Sequence, residues 1–209
     1  MQRCRKYCLL LVLMLSHAVS VYSHEPEAGT NLYLKTNLLS WGAAIVNASI
    51  EVDIAGHWSF ALPAGYSAWN YLKTTYKFRT LSVQPEVRYW FSEDNNGLYA
   101  GAHAGVGSYN FAFDGKYRYQ DHDRRTPAVG GGLSIGYRMP VAIDSHWYIE
   151  FSLGAGAYYL YYDRFRNTPV TRQGLLVDTV KKVYWGPDQA SITFCYCFNL
   201  KKRAEEGSR

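Results

Sequence analysis

Apolar and polar positions alternate along most of the chain from residue 31 onward. In His146–Tyr161, one set of positions carries Trp147, Ile149, Phe151, Leu153, Ala155, Ala157, Tyr159 and Tyr161. The other set carries Tyr148, Glu150, Ser152, Gly154 and Gly156. In Thr126–Met139, Val129, Gly131, Leu133, Ile135 and Tyr137 oppose Gly130, Gly132, Ser134, Gly136 and Arg138. Alternation of this kind is the signature of a strand, whose side chains point to opposite faces in turn. It predicts eight strands: Asn31–Ser40, Asn47–Ala55, Trp58–Asn70, Tyr76–Phe91, Leu98–Phe111, Thr126–Met139, His146–Tyr161 and Gln189–Leu200. Gly174–Trp185 reads as an extension of a hairpin above the sheet. No later window reaches the ~20 unbroken apolar residues of a membrane helix, and no long stretch has helical periodicity.

The stretch LSVQPEVRYWF, Leu81–Phe91, decides which face is inside. One face carries Leu81, Val83, Pro85, Val87, Tyr89 and Phe91, and the other Ser82, Gln84, Glu86, Arg88 and Trp90. A water-soluble sandwich or barrel turns its large apolar residues inward and its charges outward. Here the polar face is made of glycine, serine and a few charges, too small for a solvated exterior and suited to a narrow lumen. The apolar face is therefore the outside, and Glu86 and Arg88 point inward. Pro85 removes a ladder donor, so a bulge or local bend is expected beside it.

Connection lengths agree. Residues 55–57, 92–97 and 140–145 form short turns, whereas Asp114–Arg125 and Asp163–Asp188 are long and polar. Short turns at one end and long loops at the other are the pattern of an outer-membrane barrel. Trp147 and Tyr159 lie on one face, separated by roughly 28 Å along the barrel axis at ordinary strand rise and tilt, near the height of the apolar band of such barrels. Trp58 with Tyr66, and Phe78 with Tyr89, also place rings near opposite strand ends, as aromatic girdles require. The fold class expected is all-β: an eight-stranded antiparallel transmembrane β-barrel over residues 31–200.

Composition sets the compartment. Arg3, Arg5 and Lys6, the apolar run Leu9–Leu15 and the small residues Ala18, Ser20 and Ser23 form a secretory signal over residues 1–23. A short polar segment, residues 24–30, precedes the barrel, and a polar tail, 201–209, follows it. Cleavage removes three basic residues, so the formal charge of +5 falls to about +2. That balance carries no nucleic-acid footprint. Two of the four cysteines, Cys4 and Cys8, lie in the signal. Cys195 and Cys197 share one strand face, where a bridge would be strained, and the surrounding SITFCYCFNL holds no further metal ligands. No cofactor and no metal are expected.

The interior residues of this barrel are Lys35, Asn37, Glu51, Gln84, Glu86, Arg88, Arg138 and Glu150. Charges in a low-dielectric lumen need partners, so Glu86, Arg88, Arg138 and Glu150 are expected to form a network, with His103 hydrogen-bonded to Glu86 or Glu150. An eight-stranded interior is about filled by side chains, which favours a plugged lumen over a pore. The loop sequences GKYRYQDHDRR and DRFRNTPVTRQ supply Arg118, Arg124, Arg125, Arg164 and Arg166 as extracellular contacts for a protein partner or for lipopolysaccharide phosphates. His122 with Asp121 and Asp123 reads as solvated loop. His103, Ser108 and Ser152 are the candidates for lipid-modifying chemistry, but no triad follows from their positions, and no catalytic residue is assigned.

Four pieces carry a family resemblance: LKTNLLSW (Leu34–Trp41), SIEVDIAGHWSFALPAGYSAW (Ser49–Trp69), QPEVRYWF (Gln84–Phe91) and GLYAGAHAGVGSYN (Gly97–Asn110). The chain resembles a Bacteroidales outer-membrane barrel family, domain-of-unknown-function family 3575, often encoded near fimbrial genes. The resemblance implies a small outer-membrane barrel and transfers no catalytic residues. The expected role is non-enzymatic: a structural or surface-interaction protein of the cell outer membrane, in contact with its lipid and lipopolysaccharide, with a fimbrial or other surface protein as partner. The alternatives are a lipid-modifying outer-membrane enzyme and a small-solute pore.

Overall fold

The structure, a computed structural model, describes residues 31–70, 73–92, 94–142, 146–168 and 174–199. The expected signal, the polar segment 24–30 and the tail 201–209 lie outside the described residues. The strands are β1 (Asn31–Asn37), β2 (Val46–Ala55), β3 (Trp58–Ser67), β4 (Tyr76–Val83), β5 (Glu86–Trp90), β6 (Gly97–Phe113), β7 (Tyr117–Asp121), β8 (Ala128–Pro140), β9 (Trp147–Arg166) and β10 (Leu176–Asn199). All strand pairings are antiparallel, and pairing of β10 with both β1 and β9 closes the sheet into a ring. Among the described residues no helix is long and apolar enough to cross a membrane.

The ten strands fill the eight expected positions. β4 and β5 are one predicted strand, interrupted at Pro85. Their register is unbroken against β6, with Val83 opposite Val106 and Glu86 opposite His103. It is equally unbroken against β3, with Ala64 opposite Val83 and Ala61 opposite Glu86. The expected bulge is absent: proline only removes one donor, while its carbonyl still accepts from Ala104 N at 3.0 Å. β7 is the second addition. It lies between β6 and β9, as β8 does further along them.

Several boundaries differ from the sequence reading: the third strand ends at Ser67 and not Asn70, and three further differences have local causes. The first strand stops at Asn37, because its side chain caps a short helix, α1 (Leu38–Gly42), accepting from Leu39 N at 3.0 Å. Asn47 clamps the same corner through Asn37 N, at 2.6 Å, and Asn37 O, at 3.0 Å. The supposed loop Asp163–Asp188 is mostly strand: β9 runs on to Arg166, β10 begins at Leu176, and the two pair over the extra length. This contains the predicted hairpin extension. Likewise β7 occupies part of the supposed loop Asp114–Arg125.

The faces are as read. Leu133 is 71% exposed and Leu153 67%, while Trp90 and Arg138 are at most 1% exposed. In β5 burial alternates strictly, with Glu86, Arg88 and Trp90 buried and Val87 and Tyr89 exposed. Trp58, Tyr66, Trp147 and Tyr159 all point outward and are exposed. Phe78 does not join them: it shares the lumen-side face with Thr80 and Ser82 and stacks on Phe111 at 4.4 Å.

Glycine makes room for the interior. A Cβ at Gly136 would collide with the Tyr99 ring, and one at Gly101 with the Glu86 carboxylate. Gly136→Ala is expected to destabilise the fold by about 1–3 kcal/mol, the range for overpacking a filled core. At Gly115 the nearest atom to a new Cβ is 3.9 Å away, so Gly115→Ala leaves stability nearly unchanged. Urea unfolding in detergent, read as loss of the compact gel band, compares the two.

Candidate functional site

Strand alternation and register bring six charged side chains to the middle of the ring. Lys35 comes from β1, Glu51 from β2, Glu86 and Arg88 from β5, Arg138 from β8 and Glu150 from β9. All are at most 4% exposed. Three cations face three carboxylates, so the cluster is neutral as a whole. Lys35 Nζ binds Glu51 and lies 2.7 Å from Glu150 Oε2. Arg88 Nη1 donates to Glu51 Oε2 and to Glu150 Oε1, both at 2.8 Å, and its Nη2 reaches Glu86 Oε2 at 2.6 Å. Arg138 Nη2 reaches Glu51 Oε1 at 2.6 Å and Glu150 Oε2 at 3.0 Å.

Neutral groups complete the shell. Ser59 Oγ donates to Glu51 Oε1 at 2.9 Å, and Tyr99 OH to Glu150 Oε1 at 3.1 Å. Ser134 Oγ donates to Glu86. The Arg88 guanidinium lies 4.4 Å from the Tyr99 ring centre, and that of Arg138 lies 4.2 Å from both the Tyr33 and Trp90 rings. Guanidinium stacks on aromatic faces while its edge donates to carboxylates, so one residue satisfies both kinds of neighbour. The four residues expected as a network, Glu86, Arg88, Arg138 and Glu150, do converge. Lys35 and Glu51, placed in the interior by alternation but outside that foursome, are integral to it.

His103 is a correction. It lies opposite Glu86 in register, but its Nε2 meets Asp188 Oδ2 at 2.7 Å, not either glutamate. The cause is a register shift between Pro187 and Gln189 in β10. Below it Ser191 and Thr193 face the lumen; above it Tyr184 does, opposite Tyr158. The irregular residue, Asp188, is aimed inward. The break in alternation at Gly186-Pro187-Asp188 is the sequence signal for it.

Above the cluster the lumen opens. A small polar chamber of about 220 Å³ is lined by Lys35, Asn37, Gln84, Arg88 and Asp188. Beyond it lies a wider cavity of about 680 Å³, walled by Tyr109, Phe111, Tyr158, Leu160, Tyr162 and Tyr184. Neither candidate serine serves His103. Ser108 is on the opposite face of β6, and Ser152 Oγ pairs with Ser191 Oγ at 2.6 Å.

The five loop arginines divide. Arg124, Arg125 and Arg166 are exposed. Arg118 is buried, with its guanidinium 4.5 Å from the Phe165 ring, because β7 packs where an open loop was expected. Arg164 is held to Asp178, its Nε 2.8 Å from Oδ1, so it ties β9 to β10. The expected loop cluster at His122 forms with different members. His122 Nδ1 meets Asp163 Oδ1 at 2.8 Å and Nε2 lies 3.3 Å from Asp123 Oδ2, without Asp121. Asp163 also accepts from Thr179 Oγ1 at 2.8 Å. Nδ1 thus joins the β7–β8 connection to β9 of the extended hairpin, while Nε2 stays within that connection. Cys195 and Cys197 are free, buried thiols on the lumen face.

A family model, "Protein of unknown function (DUF3575)", matches residues 8–198, and the chain belongs to that family. No curated protein and no solved structure matches it.

The cluster predicts an order of sensitivity. Glu150 faces all three cations, Glu86 only Arg88. Removing one partner of a buried pair costs about 3–5 kcal/mol. Glu150→Ala is expected at the upper end of that range and Glu86→Ala at or below the lower end. Asp114→Ala, which removes an exposed contact to Lys73, is expected to leave the unfolding midpoint unchanged. Denaturant unfolding in detergent ranks the three.

Proposed function

We propose that this member of the family is a non-enzymatic outer-membrane β-barrel with a plugged polar lumen, a structural or surface-interaction protein that works through its loop end. The observation that carries the reading is the inversion of the fold: a belt of exposed Leu, Ile, Val and Phe outside, and a neutral six-charge cluster inside. In water such a belt is a liability of a size seldom tolerated. In lipid it is the required surface, and a closed ring leaves no unpaired backbone edge within the bilayer. The outward Trp58, Tyr66, Trp147 and Tyr159 suit the two interfaces.

The plug argues against a solute pore. Its charges are paired with one another and seated among aromatic rings, which favours a closed lumen over an ion path. What remains available to a partner is the aromatic cavity above it, the exposed Arg124, Arg125 and Arg166, and the long β9–β10 hairpin. The chain on this reading is exported, loses its signal segment, and contacts outer-membrane lipid and lipopolysaccharide. A fimbrial or other surface protein is the partner class that the family resemblance implies.

Cell fractionation tests this directly. The mature chain is expected in the outer membrane, with a gel mobility that changes on heating, and recovery in the detergent-free periplasmic fraction refutes the reading. Leu133→Arg is expected to lower the folded band, since a charge near the bilayer midplane costs about 2–4 kcal/mol. Tags placed within residues 167–175 should stain on intact cells and tags within 92–97 should not. Planar bilayers should show no steady conductance. A deletion strain with unaltered surface fimbriae would remove the fimbrial link while leaving the barrel reading intact.

A further inference from the structure

We propose that the outer face of the ring, at its loop end, holds a site for a phosphate-bearing lipid headgroup, built from Lys77, Arg79, Arg118 and Arg124. The site rests on the outer-membrane reading above. The sequence of residues along β4 marks the place. On its outward face Leu81 and Val83 are apolar, and the next two outward positions toward the loop end are Arg79 and Lys77. Arg79 lies opposite Asn110 of β6, and Asn110 opposite Gln120 of β7. Arg118 is on the same face of β7 as Gln120, and Arg124 follows in the turn. These side chains line one cleft of about 630 Å³.

Its charge is unlike that of the lumen. Inside, three cations meet three carboxylates. In the cleft four cations are accompanied by one acid, Asp121. Among the described residues no carboxylate lies within ion-pair distance of Lys77, Arg79 or Arg124. Lys77 and Arg79 act on each other, Arg118 neighbours Arg124 and Arg79, and Arg124 acts on Asp121. The crowding of Lys77 against Arg79 favours an entering anion. Arg79 is held in place by Asn70, whose Oδ1 accepts from its Nη2 at 2.9 Å. Guanidinium forks match phosphate oxygens two at a time, with lysine adding a point charge.

The cleft's lower rim names the source of the phosphate. Tyr66 and Leu81 border it, and both are half exposed at the top of the apolar belt. Trp69 stands beside Tyr66, with ring centres 6.4 Å apart. Aromatic rings of this kind mark the height of the membrane interface. A phosphorylated glycolipid of the outer leaflet would place its phosphate among the cations while its acyl chains lie along the belt below. A free phosphate uses the cations and leaves that apolar rim without a role.

The test uses the full mature chain folded in detergent, with native mass spectrometry as the readout. The probes are bis-phosphorylated lipid A, the same lipid dephosphorylated, and inorganic pyrophosphate. The wild type is expected to retain lipid A, and the dephosphorylated form about tenfold less, as loss of several charge-assisted contacts implies. The double variant Lys77→Gln/Arg79→Gln should lose about tenfold, whereas Lys116→Gln/Lys181→Gln, with the same change of charge at exposed positions away from the cleft, should not. Equal retention of the dephosphorylated lipid, or by the first double variant, overturns the site. Pyrophosphate binding as tight as lipid A overturns the lipid as occupant. Flotation of the same samples with vesicles separates the two readings. Loss of flotation refutes the membrane assignment, and flotation without phosphate discrimination refutes this site alone.

Discussion

The contact among Lys35, Glu51, Glu86, Arg88, Arg138 and Glu150 is the constraint on which the rest of the ring depends. Each of these groups is nearly removed from water, and an isolated charge there would be very costly. Together they cancel, and each carboxylate also receives a hydroxyl: Ser59 on Glu51, Ser134 on Glu86, Tyr99 on Glu150. The members come from five strands, so the cluster is satisfied only when all five are in register. A slip of one residue would turn Glu86 and Arg88 outward and bring Val87 and Tyr89 into the lumen. In most folds apolar burial sets register. Here the outer belt beside the cluster is apolar and tolerant of sliding, so the inner polar cluster must specify it.

Size is the second half of that constraint. Trp90, Tyr33, Tyr99, Arg88 and Arg138 fill the centre, and strand neighbours must then be small. Gly101 and Gly136 stand where any Cβ would meet the Glu86 carboxylate or the Tyr99 ring. Higher up the same strand faces carry Tyr109, Phe111, Tyr158 and Tyr162 and surround space instead of filling it. The ring is therefore packed at its turn end and hollow at its loop end. On the proposed reading, that division makes the loop end the place for a partner and the packed half its rigid base.

Much of this was legible in the chain. Alternation alone separated the two faces, and the glycine and serine content of the polar face identified it as the interior. The convergence of Glu86, Arg88, Arg138 and Glu150 followed, since buried charges on neighbouring strands must find each other. What remained hidden has physical causes. DRFR at the end of β9 mixes aromatic and charged residues and so resembled a polar loop, while LVDTVKKVYW in β10 was legible only as a hairpin extension above the sheet. β7 was concealed in the same way, and with it the burial of Arg118. Asp188 was missed because a register shift reverses alternation there, which a strict two-residue period cannot express. The partner of His103 was consequently assigned to the wrong strand.

The two groups of cations show how one alternating pattern can produce opposite chemistry. Arg88 and Arg79 belong to the same interrupted strand, nine residues apart. That odd separation puts them on opposite faces. Arg88 points to the lumen, where burial demands complete pairing and it meets three carboxylates. Arg79 points outward near the loop end, where water can solvate it and no carboxylate is required. A cation left unmatched inside would destabilise the ring, while one left unmatched outside remains free to bind an anion. The structural role and the proposed recognition role are thus separated by strand parity and by height along the ring. Substitution in the outer group can in consequence change what the ring binds without disturbing the cluster that sets its register.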